Sequence, residues 1–164
     1  MKTFIVLALI AISLTIFTTC GVVGLKFDRS CTGYLERAAN ANTIEIAQTE
    51  LSTALKYIES HNLTEGYTSV WWTTPDEDLG FWYNNIKTSN KELKDLAPDA
   101  SSLEKSNMLI KLRETLLDND GGVTVPWGTS RYPHNAAWAV YFTLATLIIV
   151  GLIIWLFIWM ESNQ

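Results

Sequence analysis

Histidine and cysteine are scarce in this sequence, with two of each among 164 residues. His61 and His134 stand far apart without a second ligand at metal spacing, which disfavours a zinc or haem site within one chain. Cys20 and Cys31 are separated by about 16 Å if one helix carries both, too far for a disulfide. No catalytic Ser/His/Asp grouping or glycine-rich phosphate loop is present. The sequence therefore predicts a non-enzyme with no catalytic residue, metal site or cofactor.

Clustered positive charge is also missing. The net charge is −5, and residues 26–135 hold 11 Lys/Arg against 16 Asp/Glu. Binding to nucleic acid requires concentrated positive charge to neutralise phosphates. We therefore expect no nucleic-acid partner.

Charged residues are absent from two long apolar runs, residues 4–25 and 136–160. A bilayer core of about 30 Å requires about 20 helical residues, so each run is long enough to cross it. The sequence predicts an all-α membrane protein with two transmembrane helices around a domain at 26–135. Neither run contains Asp, Glu, Lys, Arg or His, which disfavours a self-contained channel or transporter.

The first run has three interpretations. Met-Lys before an apolar stretch is typical of a signal sequence, but the run exceeds the usual apolar region of about 7–15 residues and lacks a convincing cleavage site. Acylation of Cys20 is a second possibility, although Phe17 and Thr19 fit a lipoprotein motif poorly. We favour an uncleaved, signal-anchor-like helix, and the two processed forms remain open.

Aromatic residues mark the predicted membrane–water boundaries, because amphipathic rings concentrate there. The predicted interface anchors are Trp127, Tyr132, Trp138, Tyr141, Trp155 and Trp159. A stripe of small residues, Ala8, Ala11, Thr15 and Thr18, follows one face of the first run. Small residues allow close helix packing in lipid. The stripe therefore packs against the second span or another protein, or it has no packing role because small residues are common in such helices.

The sidedness of the membrane is less sharply indicated. Lys26, Arg29, Arg37 and Arg131 lie on the domain side of the spans, whereas Lys2 lies on the terminal side. That distribution favours a cytoplasmic domain, but the charge rule weakens for connections beyond about 60 residues. The signal-like start favours export. We expect an extracytoplasmic domain and cytoplasmic termini.

The domain is expected to be an antiparallel, coiled-coil-like helical hairpin. Its first arm runs from Thr32 to about His61 with apolar residues at three- and four-residue steps. Its return arm is interrupted at Pro98 and continues with an apolar stripe of Leu103, Ile110, Leu112 and Leu116.

Two capping boxes start the helices of the return arm. Thr74 and Glu77 surround Pro75, and Ser101 and Glu104 repeat the spacing. In each pair the hydroxyl residue caps free backbone N–H groups, while the glutamate reaches back to the cap's own N–H. These roles account for the acidic residues without a metal or catalytic function.

The aromatic residues around the first box need another explanation. Trp82 fits the apolar seam and is expected in the core. Four further rings, Trp71, Trp72, Phe81 and Tyr83, form a predicted partner-binding patch at the hairpin tip, because exposed aromatic clusters tend to bind other proteins.

The expected function is that of a small membrane subunit, a scaffold, assembly or accessory component. A two-helix hairpin buries little surface, so a homo-oligomer or a larger membrane complex is expected, in addition to contact with the lipid bilayer. The alternative is a ligand-binding or sensory module that signals through a membrane partner.

Overall fold

The computed structural model describes residues 2–161, with side chains for residues 7–155 and 157–161. This part of the chain is helical, without named strands. Its six α-helices are α1 (Lys2–Phe27), α2 (Gly33–Ala39), α3 (Ile44–Ser60), α4 (Leu79–Asp95), α5 (Ser102–Leu116) and α6 (Asn135–Glu161). A π-helical turn, Asp28–Thr32, joins α1 to α2, so one continuous helix leads from the first apolar run into the domain.

Helices α1 and α6 are each long and apolar enough to cross a membrane. Only 6% of each apolar stretch is buried, unlike the core helix of a soluble protein. The two helices pack against each other: Ser13 and Ala145 are buried, and the rings of Phe17 and Phe142 lie 5.7 Å apart.

The remaining four helices form a closed arrangement. Helix α2 packs on α3, α3 on α4, α4 on α5, and α5 returns to α2. Fully buried Cys31, Leu35, Leu51, Ile58 and Ile86 contribute to the common core. The predicted coiled-coil-like hairpin of two arms is not confirmed, because a fourth helix is present.

The additional helix results from a break between α2 and α3 that the spacing of the apolar residues does not predict. The predicted single helix from Thr32 to His61 is wrong, because the chain turns at 40–43 between α2 and α3. Asn40 and Asn42 have short polar side chains that favour turns over helix interiors. Thr43 then caps α3 by accepting a hydrogen bond from Ile46 N–H at 3.3 Å.

The two predicted capping boxes differ in what they start. Ser101 and Glu104 cap α5 as predicted, with both reciprocal hydrogen bonds present. Thr74 and Glu77 instead start a single 3₁₀ turn, Pro75–Glu77. Helix α4 has its own cap, Asp78, whose carboxylate accepts from Phe81 N–H at 3.0 Å.

The apolar stripe that the sequence predicts on α5 is only partly buried. Leu112 and Leu116 are buried as expected, but Leu103 and Ile110 are 70% and 55% exposed. The neighbouring helices cover only one side of α5, which is the side of Leu112 and Leu116.

The connection between α3 and α4, residues 61–78, lies beside the two apolar helices. Tyr57, near the end of α3, packs against Phe27 at the end of α1, with ring centroids 5.9 Å apart. Asn135, the first residue of α6, donates its side-chain N–H to Thr68 O at 2.8 Å. The predicted hairpin tip is therefore next to the start of α6.

Candidate interfacial site

Residues 61–78, whose one named element is the 3₁₀ turn Pro75–Glu77, are held in place by backbone hydrogen bonds. Thr68 N–H donates to Glu77 O at 3.0 Å, and Leu79 N–H donates to Gly66 O at 2.9 Å. Gly66 has a φ of 94°, a conformation that favours glycine. The ring of Tyr132 covers the place where a Cβ at Gly66 would lie. Tyr132, a predicted interface anchor, is thus half-buried against the domain core.

Three of the four predicted patch residues are exposed. Trp71 and Trp72 are each 74% exposed and Phe81 is 65% exposed. The Ser69 hydroxyl accepts hydrogen bonds from the backbone N–H groups of Trp71 and Trp72, at 3.3 and 3.2 Å. We call Trp71, Trp72 and Phe81 the aromatic patch.

Tyr83 does not belong to this exposed set. Its ring is buried, its hydroxyl donates to Glu59 Oε1 at 2.8 Å, and the hydroxyl oxygen accepts from Lys87 Nζ at 3.0 Å. The hydrogen bond to Tyr83 raises the pKa of Lys87. The expectation that Tyr83 is an exposed partner residue is wrong, because it ties α4 to α3.

Trp82 is buried, as the sequence predicts. Its indole Nε1–H donates to Thr124 O at 2.9 Å. This bond fixes the segment that follows α5, and it thereby positions Trp127 three residues later.

The other predicted interface anchors are distributed along the second apolar helix and just before it. Trp138 is half-buried and Tyr141 exposed near the start of α6, and their rings pack edge-to-face with centroids 6.4 Å apart. Trp155 and Trp159 are exposed toward the other end of α6, and Trp127 is 77% exposed before its start.

A cleft of about 480 Å³ opens where residues 61–78 meet the start of α6. Its walls include Thr68, Trp71, Trp127, Arg131, Asn135 and Trp138. The Arg131 guanidinium lies over the Trp127 ring at 4.4 Å and over the Phe142 ring at 5.8 Å. Such cation–π contacts attract the guanidinium to the faces of these rings. The cleft thus combines apolar walls with one fixed positive charge.

Sequence reasoning missed the polar residues of this cleft. In the sequence, Arg131 bears only on membrane orientation, and neither Thr68 nor Asn135 belongs to a motif. The spacing of Trp127 and Arg131, four residues apart just before an apolar run, is the one available signal. The Thr68 contribution depends on a contact between segments 67 residues apart, which a local pattern does not reveal.

The small-residue stripe of α1 does not pack squarely against α6. Ala11, Thr15 and Thr18 are exposed, and Ala8 is half-buried. The hydroxyls of Thr15 and Thr18 donate to carbonyl oxygens of their own helix at 2.8 and 3.0 Å. These bonds satisfy the hydroxyls of Thr15 and Thr18 within α1 and leave a face that a further helix can approach closely.

The cysteines are both free. Cys31, in the core of the helical domain, is fully buried, and this burial raises the pKa of its thiol to about 12. Within residues 2–161 no three His, Cys, Asp or Glu side chains lie close enough together to hold a metal ion.

Comparisons with protein-family models, curated proteins and solved structures found no match for the chain. The functional argument therefore rests on the aromatic patch, the cleft and the two apolar helices.

Proposed function

We propose that the protein is a small, non-catalytic membrane subunit that acts as a scaffold, assembly or accessory component. Helices α1 and α6 span the bilayer, and the packing of α1 against α6 near Ser13 and Phe17 supports an uncleaved α1 that serves as an anchor. The helical domain is extracytoplasmic and both termini are cytoplasmic, as the signal-like start favours.

The observation that carries this proposal is the exposure of three large rings beside a membrane helix. Trp71, Trp72 and Phe81 are each exposed by more than half of their surface. Aromatic residues are enriched among those that dominate binding energy at protein interfaces. Because the patch lies next to the start of α6, its partner is a second copy of this chain or another membrane protein.

Replacement of patch residues tests the proposal directly. We expect Trp72→Ala or Phe81→Ala to shift the complex to a smaller size on a native gel in mild detergent, since each change removes a large contact side chain. Hot-spot truncations of this kind cost about 2 kcal/mol or more. The matched control is Leu103→Ala, which removes an exposed apolar side chain from α5. Equal behaviour of all three variants would contradict the patch assignment.

The topology has its own test. Ser106→Cys introduces a thiol on the exposed surface of α5, whereas native Cys31 is buried. A membrane-impermeant thiol reagent should label the Ser106→Cys protein in intact cells and leave the native protein unlabelled. Labelling of Ser106→Cys only after lysis would place the domain in the cytoplasm.

A second candidate function, a ligand-binding or sensory module acting through a membrane partner, has one observation in its favour. The cleft around Arg131 has the volume and the mixed apolar and polar lining of a small-molecule site.

A further inference from the structure

The charge of the cleft indicates an anionic ligand. Among the side chains that the structure describes, Arg131 is the only charged one in the lining of the cleft, and no carboxylate lines it. The ion pairs formed among residues 7–155 and 157–161 are Arg37–Glu50 and Lys111–Glu92, so neither involves Arg131. A guanidinium that lies over aromatic rings retains its N–H donors at the edge, where a phosphate or carboxylate can accept from them.

A second, independent observation concerns Thr68. This residue is 4% exposed, it lines the cleft, and its hydroxyl Oγ1 has no hydrogen-bond partner. Burial of a hydroxyl without a hydrogen-bond partner costs roughly 1–3 kcal/mol of folding free energy, so each such group needs an explanation. A ligand oxygen within the cleft would supply the missing partner.

Gly128 keeps the space between these two groups open. A Cβ at this position would lie 3.4 Å from Arg131 Nη2 and 3.9 Å from Thr68 Cβ. Arg131 and Thr68 therefore border the same small volume, which a larger residue would fill. Gly128 also has a φ of 88°, which glycine adopts without strain.

The position and walls of the cleft point to a lipid as the source of the anion. Asn135, Trp138 and Phe142 belong to the first turns of α6, where Trp and Tyr rings typically lie at headgroup level. Trp71, Trp127 and Trp138 provide apolar walls that a free phosphate ion does not need. Since no acidic side chain is present, a cationic headgroup gains no ion pair.

We propose that this cleft binds the phosphate of an anionic phospholipid, with Arg131 and Thr68 as donors to its oxygens and the tryptophan rings against its glycerol and upper acyl chains. The assignment is independent of the scaffold function proposed above, although it rests on α6 being a membrane helix.

The test is lipid retention by the full chain in mild detergent, measured by native mass spectrometry. The probes are phosphatidylglycerol, phosphatidylcholine and diacylglycerol with the same acyl chains. We expect phosphatidylglycerol to be retained best. Arg131→Gln should lower its retention at least about tenfold, because a charge-assisted hydrogen bond is lost. The control Arg113→Gln removes the same charge from the exposed surface of α5 and should retain the lipid.

A second pair of variants keeps the test independent of charge. Gly128→Ala fills the space between Arg131 and Thr68 and should also lower phosphatidylglycerol retention. Gly121→Ala is its matched control, because Gly121 has a similar φ of 83° but no atom within 4 Å of its Cβ position. Circular dichroism of each variant establishes that the helices persist.

Several outcomes would overturn the assignment. Equal retention of diacylglycerol would indicate binding by the apolar walls alone, and equal retention of phosphatidylcholine would remove the preference for an anion. Displacement of the lipid by millimolar inorganic phosphate would identify a free anion as the ligand. Unchanged retention in both Arg131→Gln and Gly128→Ala would place the lipid elsewhere. Trp72→Ala and Phe81→Ala, which change patch residues outside the cleft lining, should alter the native size without altering lipid retention, so the two proposals fail separately.

Discussion

Individual side chains connect the loops of this protein to its helices. Trp82 reaches from α4 to the segment after α5, and Tyr83 connects α4 to Glu59 on α3. Ser52 on α3 donates its hydroxyl proton to Asn90 Oδ1 on α4 at 3.2 Å. Trp82 and Tyr83 are both buried, and each connects two parts of the domain. A substitution at either residue should therefore affect the stability of the domain rather than the binding of a partner.

Trp82→Phe should destabilise the domain by about 2 kcal/mol. It removes the indole hydrogen bond to Thr124 O and leaves part of the ring volume empty. Urea unfolding in detergent, followed by circular dichroism, measures the change in the free energy of unfolding. Phe81→Leu, at an exposed neighbouring position, should have little effect. Equal losses in both variants would contradict the different roles assigned to the two rings.

Arg37→Ala should cost roughly 1–3 kcal/mol, because it leaves the buried Glu50 carboxylate without its partner. The ion pair is 2.5 Å long and connects α2 to α3 across their turn. The control is Lys111→Ala, which breaks a more exposed pair with Glu92 and should cost less than about 1 kcal/mol. The urea midpoints of the two variants measure these losses of stability. A larger loss of stability for Lys111→Ala than for Arg37→Ala would contradict the roles assigned to the two ion pairs.

At the scale of helices, local polar residues determine where each element begins. Thr43, Asp78 and Ser101 all accept hydrogen bonds from backbone N–H groups in the first turn of the following helix. This satisfies donors that otherwise lack a partner within the helix. The helix boundaries therefore depend on side chains at single positions more than on the apolar stripes, which continue across the break at 40–43.

The Ser101–Glu104 box gives α5 a pH dependence. Hydrogen bonds from the Ser101 hydroxyl and N–H lower the pKa of Glu104 below its ordinary value. The stabilisation by this cap is therefore present when the pH is above the pKa of Glu104 in the unfolded chain. It is lost as the pH falls through the pKa of Glu104 in the folded chain. At neutral pH we expect the urea midpoint of the wild-type protein to be higher than that of Glu104→Gln. The difference between the two midpoints should become smaller in acid. Glu114→Gln, elsewhere on the exposed surface of α5, is the control; a pH-independent difference would contradict the cap.

At the scale of the whole molecule, one continuous helix joins the first apolar run to the helical domain. Helix α1 runs through the π-helical turn into α2, whose Leu35 and Ala38 are fully buried in the common core. A displacement of α1 would therefore be transmitted to the helical domain without an intervening flexible linker. This continuity supports a role in which the domain holds a partner at a fixed position beside the bilayer.

Local patterns in the sequence predict part of this arrangement. The two apolar helices, the Ser101 cap and the burial of Trp82 follow from run length, spacing and cap chemistry. Asn40 and Asn42 favour a turn before Thr43, but the three- and four-residue spacing of apolar residues by itself predicts an unbroken helix. The burial of Tyr83 depends on Glu59 from another helix, and the cleft requires Arg131 to meet Thr68. Such long-range contacts have no local sequence signature, so they required the structure.

The central claim is that this chain works as a subunit of a membrane assembly, and its mass in mild detergent tests that claim most directly. Light scattering after size-exclusion chromatography, corrected for bound detergent, gives the mass of the protein component. We expect a mass of at least two chains of 18.4 kDa, or one chain with a co-purifying membrane protein. A monodisperse species of a single chain with nothing bound would contradict the account.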